Sequence, residues 1–288
     1  MASLVYHVGA LGDFLTTVPA FRAWRKRRAG ERIVLLGKPR FAALLAKDTP
    51  FDEVWDAEAA RFSRLFSPDP PARPEPLPIP FTSALLFSPS SSPLAGNLAR
   101  SGVAGIVRQD PFPAGPLHVI DHHLSLFEDL ELSPAERVPR IAPPEIDAYP
   151  AAADAVLHPG SGSAVRNWPV PRFLDLCRQL EAGGVSVAWV AGPADELRDL
   201  PRGARVWREL PLAALAAALA RCRLFVGNDS GVSHLAAAAG CPVVALFGPT
   251  DPAVWAPRGK RVRVVASERM ESISVESVYA VCRQILEE

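Results

Sequence analysis

Residues 225–252 read FVGNDSGVSHLAAAAGCPVVALFGPTDP, and this stretch decides the fold. Leu224 to Val226 is a short apolar run of the kind a buried strand needs, and it enters Gly227-Asn228. Asp229 and Ser230 then occupy positions that favour helix N-caps. An alanine-rich helix is predicted from about Val232 to Ala239, stopped by Gly240 and Pro242. Val243 to Phe247 is a second apolar run, closed again by glycine and proline. The order strand, polar glycine-containing turn, helix, strand is a βαβ unit. The turn after its first strand presents backbone N–H groups at the positive end of a helix, which suits a phosphate. The same residues also read, with equal right, as a tight turn with a good cap. His234 falls one helical turn beyond Ser230, on the face of the capping hydroxyl, where an imidazole can either meet a bound diphosphate or pack into a core.

Working outward, the chain alternates strands and helices along most of its 288 residues. Ser3 to Val8 is a first strand that runs into Gly9-Ala10-Leu11-Gly12-Asp13, and a helix follows from Phe14 to Arg28. Asp13 therefore stands at or just before a helix start, at the carboxyl end of the first strand, where open α/β sheets bind ligands. An ordinary N-cap is the plainer reading of it. The helix ends in Arg22, Arg25, Lys26, Arg27 and Arg28, either a solvated basic end or a docking patch for an anionic acceptor or membrane surface. Further strands are predicted at 32–37, 51–56, 81–88 and 104–108, with a short helix at 40–46 and another at 90–101. Ser67 to Pro80 is too rich in proline for helix or central strand. Leu117 to Leu130 is predicted as a solvent-facing helix. His118, His122 and His123 within it lack the accompanying carboxylate of a metal signature.

Arg137 to Pro150 is proline-rich and aperiodic, and the alternation restarts after it. The expected organisation is a first unit at 1–142, a linker at 143–153 and a second unit at 154–288, with the terminal helix able to pack back on the first. Both units are α/β, doubly wound parallel sheets, with a cleft between them. In the second unit, Ala155 to His158 leads into Pro159-Gly160-Ser161-Gly162-Ser163 and then Arg166. That turn and the one at Gly227 to Gly231 can aim N–H groups and hydroxyls at one anion, with Arg166 adding fixed charge. A carboxylate at Asp13 opposite such a cradle suits displacement at a carbon that carries a diphosphate.

Composition excludes several classes. Formal net charge is zero, which disfavours a nucleic-acid partner. The four cysteines form no CxxC pair and read as reduced, buried thiols. No signal-like start or transmembrane run of about 18 apolar residues is present, so a cytoplasmic location is expected. There is no Asp-x-Asp clamp, so no metal and no cofactor are expected. The absence of GxGxxG, GxxxxGK[ST] and GxSxG patterns argues against dehydrogenases, P-loop enzymes and α/β-hydrolases.

Four segments carry a family resemblance: GALGDFLTTVPAFRAWR (9–25), HPGSGSAVRNWPVPRF (158–173), VAGPADE (190–196) and GNDSGVSHLAAAAGCPVVALFGPTDP (227–252). In these the chain resembles the heptosyltransferase-type glycosyltransferases of family nine, which have two Rossmann-like lobes of the GT-B kind. The resemblance implies inverting, metal-independent transfer of a sugar from a nucleotide diphosphate donor, typically ADP-heptose, to a lipopolysaccharide-core or related glycan acceptor near the inner membrane. It implies Asp13 as catalytic base. It places Ser161, Gly162, Ser163, Ser230, Gly231 and His234 around the donor diphosphate, Asp229 near the sugar and helix start, and Glu196 near the ribose. Arg166 stands where the family commonly has lysine, keeping the charge and changing a point charge for a planar fork. A catalytically diverged nucleotide-sugar-binding module of the same fold is the alternative.

Overall fold

The structure is a computed structural model that describes residues 1–69, 74, 76–143, 145–146, 150–192, 200 and 202–288. The chain divides into two compact units, Met1–Arg137 and Val138–Glu288, against an expected first unit ending at 142. Ile141 explains part of that difference, because its N–H donates to the Ala238 carbonyl of the second unit at 3.0 Å.

The first unit runs β1 (Ala2–His7), α1 (Leu11–Arg27), β2 (Arg32–Gly37), α2 (Pro39–Ala42), β3 (Glu53–Asp56), β4 (Ser83–Phe87), α3 (Leu94–Arg100), β5 (Gly105–Gln109) and α4 (Val119–Leu124). Its sheet has the order β3-β2-β1-β4-β5, all pairs parallel. β1 and β4 are buried along their whole length, which is why both read as unbroken apolar runs. Two serines interrupt those runs, and both are satisfied. Ser3 and Ser83 are register partners, the Ser83 hydroxyl lies 2.9 Å from that of Ser3, and the Trp24 indole donates to Ser3 Oγ at 2.9 Å.

The second unit runs β6 (Ala155–His158), α5 (Val170–Ala182), β7 (Val187–Ala191), β8 (Arg205–Arg208), α6 (Leu212–Leu219), β9 (Leu224–Asn228), α7 (Gly231–Ala238), β10 (Val243–Phe247), α8 (Pro252–Trp255), β11 (Val262–Ala266) and α9 (Val275–Glu287). Its parallel sheet has the order β11-β10-β9-β6-β7-β8. α7 ends as its sequence demands. Gly240 takes φ +90°, its N–H donates to Ala237, and the Cys241 N–H donates to Ala236. That is a Schellman close, which a residue with a Cβ fits poorly. α9 lays Val275, Val278, Cys282 and Ile285 into the core of this unit, beside α5.

One expectation changes. The predicted solvent-facing helix at 117–130 is instead the short α4 followed by a 3-10 turn at Ser125–Phe127, and it buries Val119, Ile120, His123, Leu124 and Phe127. Two of its histidines have hydrogen-bond partners: His118 Nδ1 accepts from the Ile120 N–H at 3.2 Å, and His122 Nε2 lies 2.9 Å from the Asp110 carbonyl oxygen. The basic end of α1 is paired within its own unit, Arg22 with Asp48, Arg25 with Asp52, Lys26 with Glu136, Arg27 with Asp129 and Arg28 with Glu31. All four cysteines are free and buried, and burial pushes the thiols up, to about 12 at Cys177 and Cys282. Among the described residues no helix is long and apolar enough to cross a membrane.

Candidate functional site

Each sheet has one place where the chain reverses its direction of winding. In the second unit that place lies between β6 and β9, which are parallel neighbours in register His158↔Gly227. The loops leaving their carboxyl ends diverge, and the opening between such loops is where doubly wound sheets take ligands. Both polar turns singled out in the sequence leave from this point.

Asn228 locks them together. Its Nδ2 donates to the Pro159 carbonyl at 2.7 Å, and its Oδ1 accepts from the Trp168 N–H at 3.0 Å. A fully buried amide with both ends satisfied leaves the two turns little freedom to separate. Asn228 carried no functional assignment in the sequence, since its partners lie about 60 to 70 positions away.

The individual side chains follow. Ser161 Oγ lies 2.6 Å from Asn167 Oδ1 and accepts from the Ser163 N–H at 3.2 Å, so it shapes its own turn. Gly162 is exposed, and a Cβ there would sit 3.2 Å from Arg166 Nη2, so the bare backbone lets the guanidinium lie across it. Arg166 Nη1 donates to Asp229 Oδ2 at 3.0 Å, and Thr250 Oγ1 donates to the same oxygen at 2.9 Å. Ser230, not Asp229, is the N-cap of α7: its hydroxyl accepts from the Ser233 N–H at 3.4 Å and lies 3.4 Å from His158 Nδ1. Gly231 opens α7, and the His234 N–H donates to the Ser230 carbonyl at 3.4 Å, with the imidazole largely buried. Glu196 lies outside the described residues. Ser161, Gly162, Ser163, Arg166, Asp229, Ser230, Gly231 and His234 thus gather at one end of one sheet, around a helix N-terminus.

Beside them the second unit holds a cavity of about 220 Å³ lined by His158, Val190, Trp207, Leu210, Leu212 and Val232 among others. Its mainly apolar wall with an indole suits a flat aromatic ring. Sequence reading missed it, because its residues come from five separate elements, each reading as ordinary core.

In the first unit Asp13 lies inside α1, in its first turn, and not ahead of it. The N-cap is Ala10, which has no capping side chain, and Asp13 Oδ2 reaches back to accept the Ala10 N–H at 2.9 Å. Gly9 makes room for this. A Cβ on it would sit 2.8 Å from Asp13 Cβ and 3.0 Å from both Asp13 Oδ2 and His7 Cε1. Lys38, which sequence reading did not single out, brings Nζ to 3.2 Å from the Gly9 carbonyl oxygen. Among the described residues no group of three His, Cys, Asp or Glu side chains is arranged to hold a metal ion.

Two parallel Rossmann-like sheets, each with polar loops at its point of reversal, define a GT-B architecture. The same architecture is found in a glycosyltransferase of family 9 from Veillonella parvula, at TM-score 0.80 and 18% identity over 99% of this chain and 97% of that one. It is found again in the Escherichia coli ADP-heptose lps heptosyltransferase II, at TM-score 0.77 and 17% identity over 100% and 99%. At these identities the likeness is one of fold. Residues 112–281 match the model of glycosyltransferase family 9 (heptosyltransferase), and the chain belongs to that family. It is also 29% identical over 165 residues to lipopolysaccharide heptosyltransferase 3 of Escherichia coli K12, a match spanning 50% of this chain and 48% of that protein. The match thus spans about half the length of this relative.

Proposed function

We propose that the protein is an inverting, metal-independent glycosyltransferase that moves a heptose from ADP-heptose to a hydroxyl of a lipopolysaccharide-core or related glycan. The observation that carries the reading is the pair of turns at 159–167 and 228–231, pinned by Asn228 at the N-terminus of α7. Those turns offer backbone N–H groups, the hydroxyls of Ser161, Ser163 and Ser230, and the Arg166 guanidinium to a diphosphate. The neighbouring apolar cavity takes the nucleoside base. Family membership supports the reaction class, and the name of the structural relative, an ADP-heptose lps heptosyltransferase II, supports the donor.

Asp13 acts as base. Its carboxylate takes the proton of the acceptor hydroxyl as that oxygen forms a bond to the anomeric carbon. The bond from that carbon to the diphosphate breaks, and ADP leaves with the electron pair. Donors already aimed at the diphosphate stabilise the charge that builds on it. Asp229 holds Arg166 in place, and His234 adds a hydrogen bond from the first turns of α7. The location that goes with this chemistry is the cytoplasmic face of the inner membrane.

The test is release of ADP from ADP-heptose in the presence of a delipidated lipopolysaccharide-core acceptor, with Asp13→Ala alongside. Acceptor-dependent release by the native chain, abolished in Asp13→Ala while ADP still binds, is the expected result. Donor binding with no turnover on any core acceptor rejects the transferase and leaves the diverged binding module.

A further inference from the structure

Two charged side chains hold opposite ends of one peptide group in the first unit. Lys38 Nζ donates to the Gly9 carbonyl oxygen at 3.2 Å. Asp13 Oδ2 accepts the Ala10 N–H at 2.9 Å. That carbonyl and that N–H belong to the same Gly9–Ala10 amide, so an ammonium, a peptide dipole and a carboxylate stand in series. Electron density drawn to the carbonyl oxygen makes the amide a better N–H donor, and hydrogen bonds linked in this way strengthen one another. Both outer members carry charge, which makes each bond stronger than its neutral counterpart.

The sheet builds this series from residues far apart in sequence. Gly37 ends β2 as the register partner of His7, which ends β1. A Cβ on Gly37 would lie 2.7 Å from the His7 carbonyl oxygen, so the missing side chain lets the two strand ends close up. Lys38, the next residue, then reaches across to the loop between β1 and α1. Its backbone is fixed where it stands. Lys38 is the N-cap of α2, Pro39 opens that helix, and the Lys38 carbonyl accepts from the Phe41 N–H at 2.9 Å. Its side chain makes no capping bond in α2. The Phe41 ring, with its centroid 5.6 Å from Nζ, adds attraction that holds the ammonium over the protein. His7 feels the same charge, which adds to the burial that pushes its imidazole down to about 3.

Asp13 forms part of the wall of a cavity of about 180 Å³, with His7, Phe87, Ser92, Pro111 and Phe112. A base at that wall has to keep one orientation toward the hydroxyl that reaches it, since small misplacements cost rate steeply. The Ala10 N–H is a fixed point for Oδ2, and Lys38 fixes the amide that carries it.

We propose that Lys38 is a positioning residue for Asp13, acting through the Gly9–Ala10 amide to orient the carboxylate and strengthen its bond to the loop. The proposal rests on the glycosyltransferase reading, in which that carboxylate is the base, and adds a residue to its machinery.

The full chain is prepared with 13C at glycine carbonyls and 15N at alanine. Only the Gly9–Ala10 and Gly203–Ala204 steps then give a coupled carbonyl–amide signal. Asp13→Asn assigns the first, because it weakens the acceptor of the Ala10 N–H. Lys38→Met is expected to move the Gly9 carbonyl carbon and the Ala10 amide proton upfield together and to leave the Gly203–Ala204 signal in place. In acceptor-dependent ADP release the same variant is expected to lose about tenfold in kcat, with ADP affinity and acceptor KM changed less than about twofold. Lys38→Arg, which keeps the charge, is expected to restore the resonances and most of the rate. A merely structural lysine lowers the melting temperature and leaves the Ala10 amide proton where it was, and that result overturns the proposal. So does an unchanged kcat in Lys38→Met. The resonances need no turnover. If the native chain releases no ADP with any core acceptor, a responsive Ala10 amide counts against the glycosyltransferase reading alone, and a silent one counts against this proposal.

Discussion

Arg166 Nη1 sits 3.0 Å from Asp229 Oδ2, and this contact joins the loop that follows β6 to the loop that follows β9. The carboxylate is nearly buried, with its side chain 8% exposed, while the guanidinium is 29% exposed. Asp229 therefore depends on the pair more than Arg166 does. The arginine keeps other donors for a ligand, whereas the same aspartate oxygen also accepts from Thr250 Oγ1 at 2.9 Å.

Removing the arginine should thus act on stability as well as on ligand binding. Arg166→Ala is expected to cost about 1–3 kcal/mol in urea unfolding, the range for a buried charged acceptor that loses its partner. It should also weaken ADP by about tenfold or more in calorimetry. Arg166→Lys restores the charge and is expected to recover most of the stability. Equal unfolding midpoints for Arg166→Ala and the native chain would show that the contact has no structural role.

Gly9→Ala should injure activity more than it injures folding. The added methyl would fall 2.8 Å from Asp13 Cβ and 3.0 Å from His7 Cε1, closer than real contacts allow. Asp13 must then shift, and in the proposed role of general base a displaced carboxylate forfeits much of the ~10²- to 10⁴-fold such groups supply. The check is acceptor-dependent ADP release against donor affinity: the first falls steeply and the second stays put.

Acid should loosen the first unit through its two buried imidazoles. His7 and His123 are held down to about 3 by burial, against an ordinary 6.5. Between those values the unfolded chain binds protons that the folded chain refuses, so stability rises with pH there. The contribution is complete above about pH 6.5 and is lost as pH falls toward 3. Melting temperatures measured across this window should climb with pH, and His123→Phe should flatten the climb. Parallel curves for the two proteins would refute the account.

Trp24→Phe tests the polar seam inside the first sheet. The indole N–H is a donor to Ser3 Oγ, which lies 2.9 Å from the Ser83 hydroxyl, and all three residues are buried. Loss of that donor and of part of the ring is expected to cost about 2–4 kcal/mol in chemical denaturation. Adding Ser3→Ala should return part of it, because the hydroxyl that lost its donor is then gone.

How much of this was legible beforehand depends on how local the determining physics is. The strands at 32–37, 155–158 and 243–247 were bounded to the residue, because each is a continuous apolar run stopped by glycine, proline or a polar turn. The start of α1 was placed too late, since Ala10 is a poor cap and the compensating bond comes from the Asp13 carboxylate. The 3-10 turns at Ala60–Phe66 were not anticipated, for ARFSRLF carries neither a strand nor a helix period. Burial of α4 was misread because His122 and His123 look hydrophilic, whereas His123 packs edge-on to Phe87 at 5.1 Å between centroids. The residues of the second unit's site were legible as types, but the lock at Asn228 was not, because no local pattern reports a partner on a different strand-end loop.

Each sheet carries its cavity where strand ends meet the segments that leave them: His7 and Phe87 share the first with Ser92, Pro111 and Phe112, and His158 and Trp207 share the second with Leu210 and Val232. Substitutions confined to Ser92, Pro111 and Phe112 would therefore reshape one rim of the first cavity and leave the second, built on a different sheet, as it was.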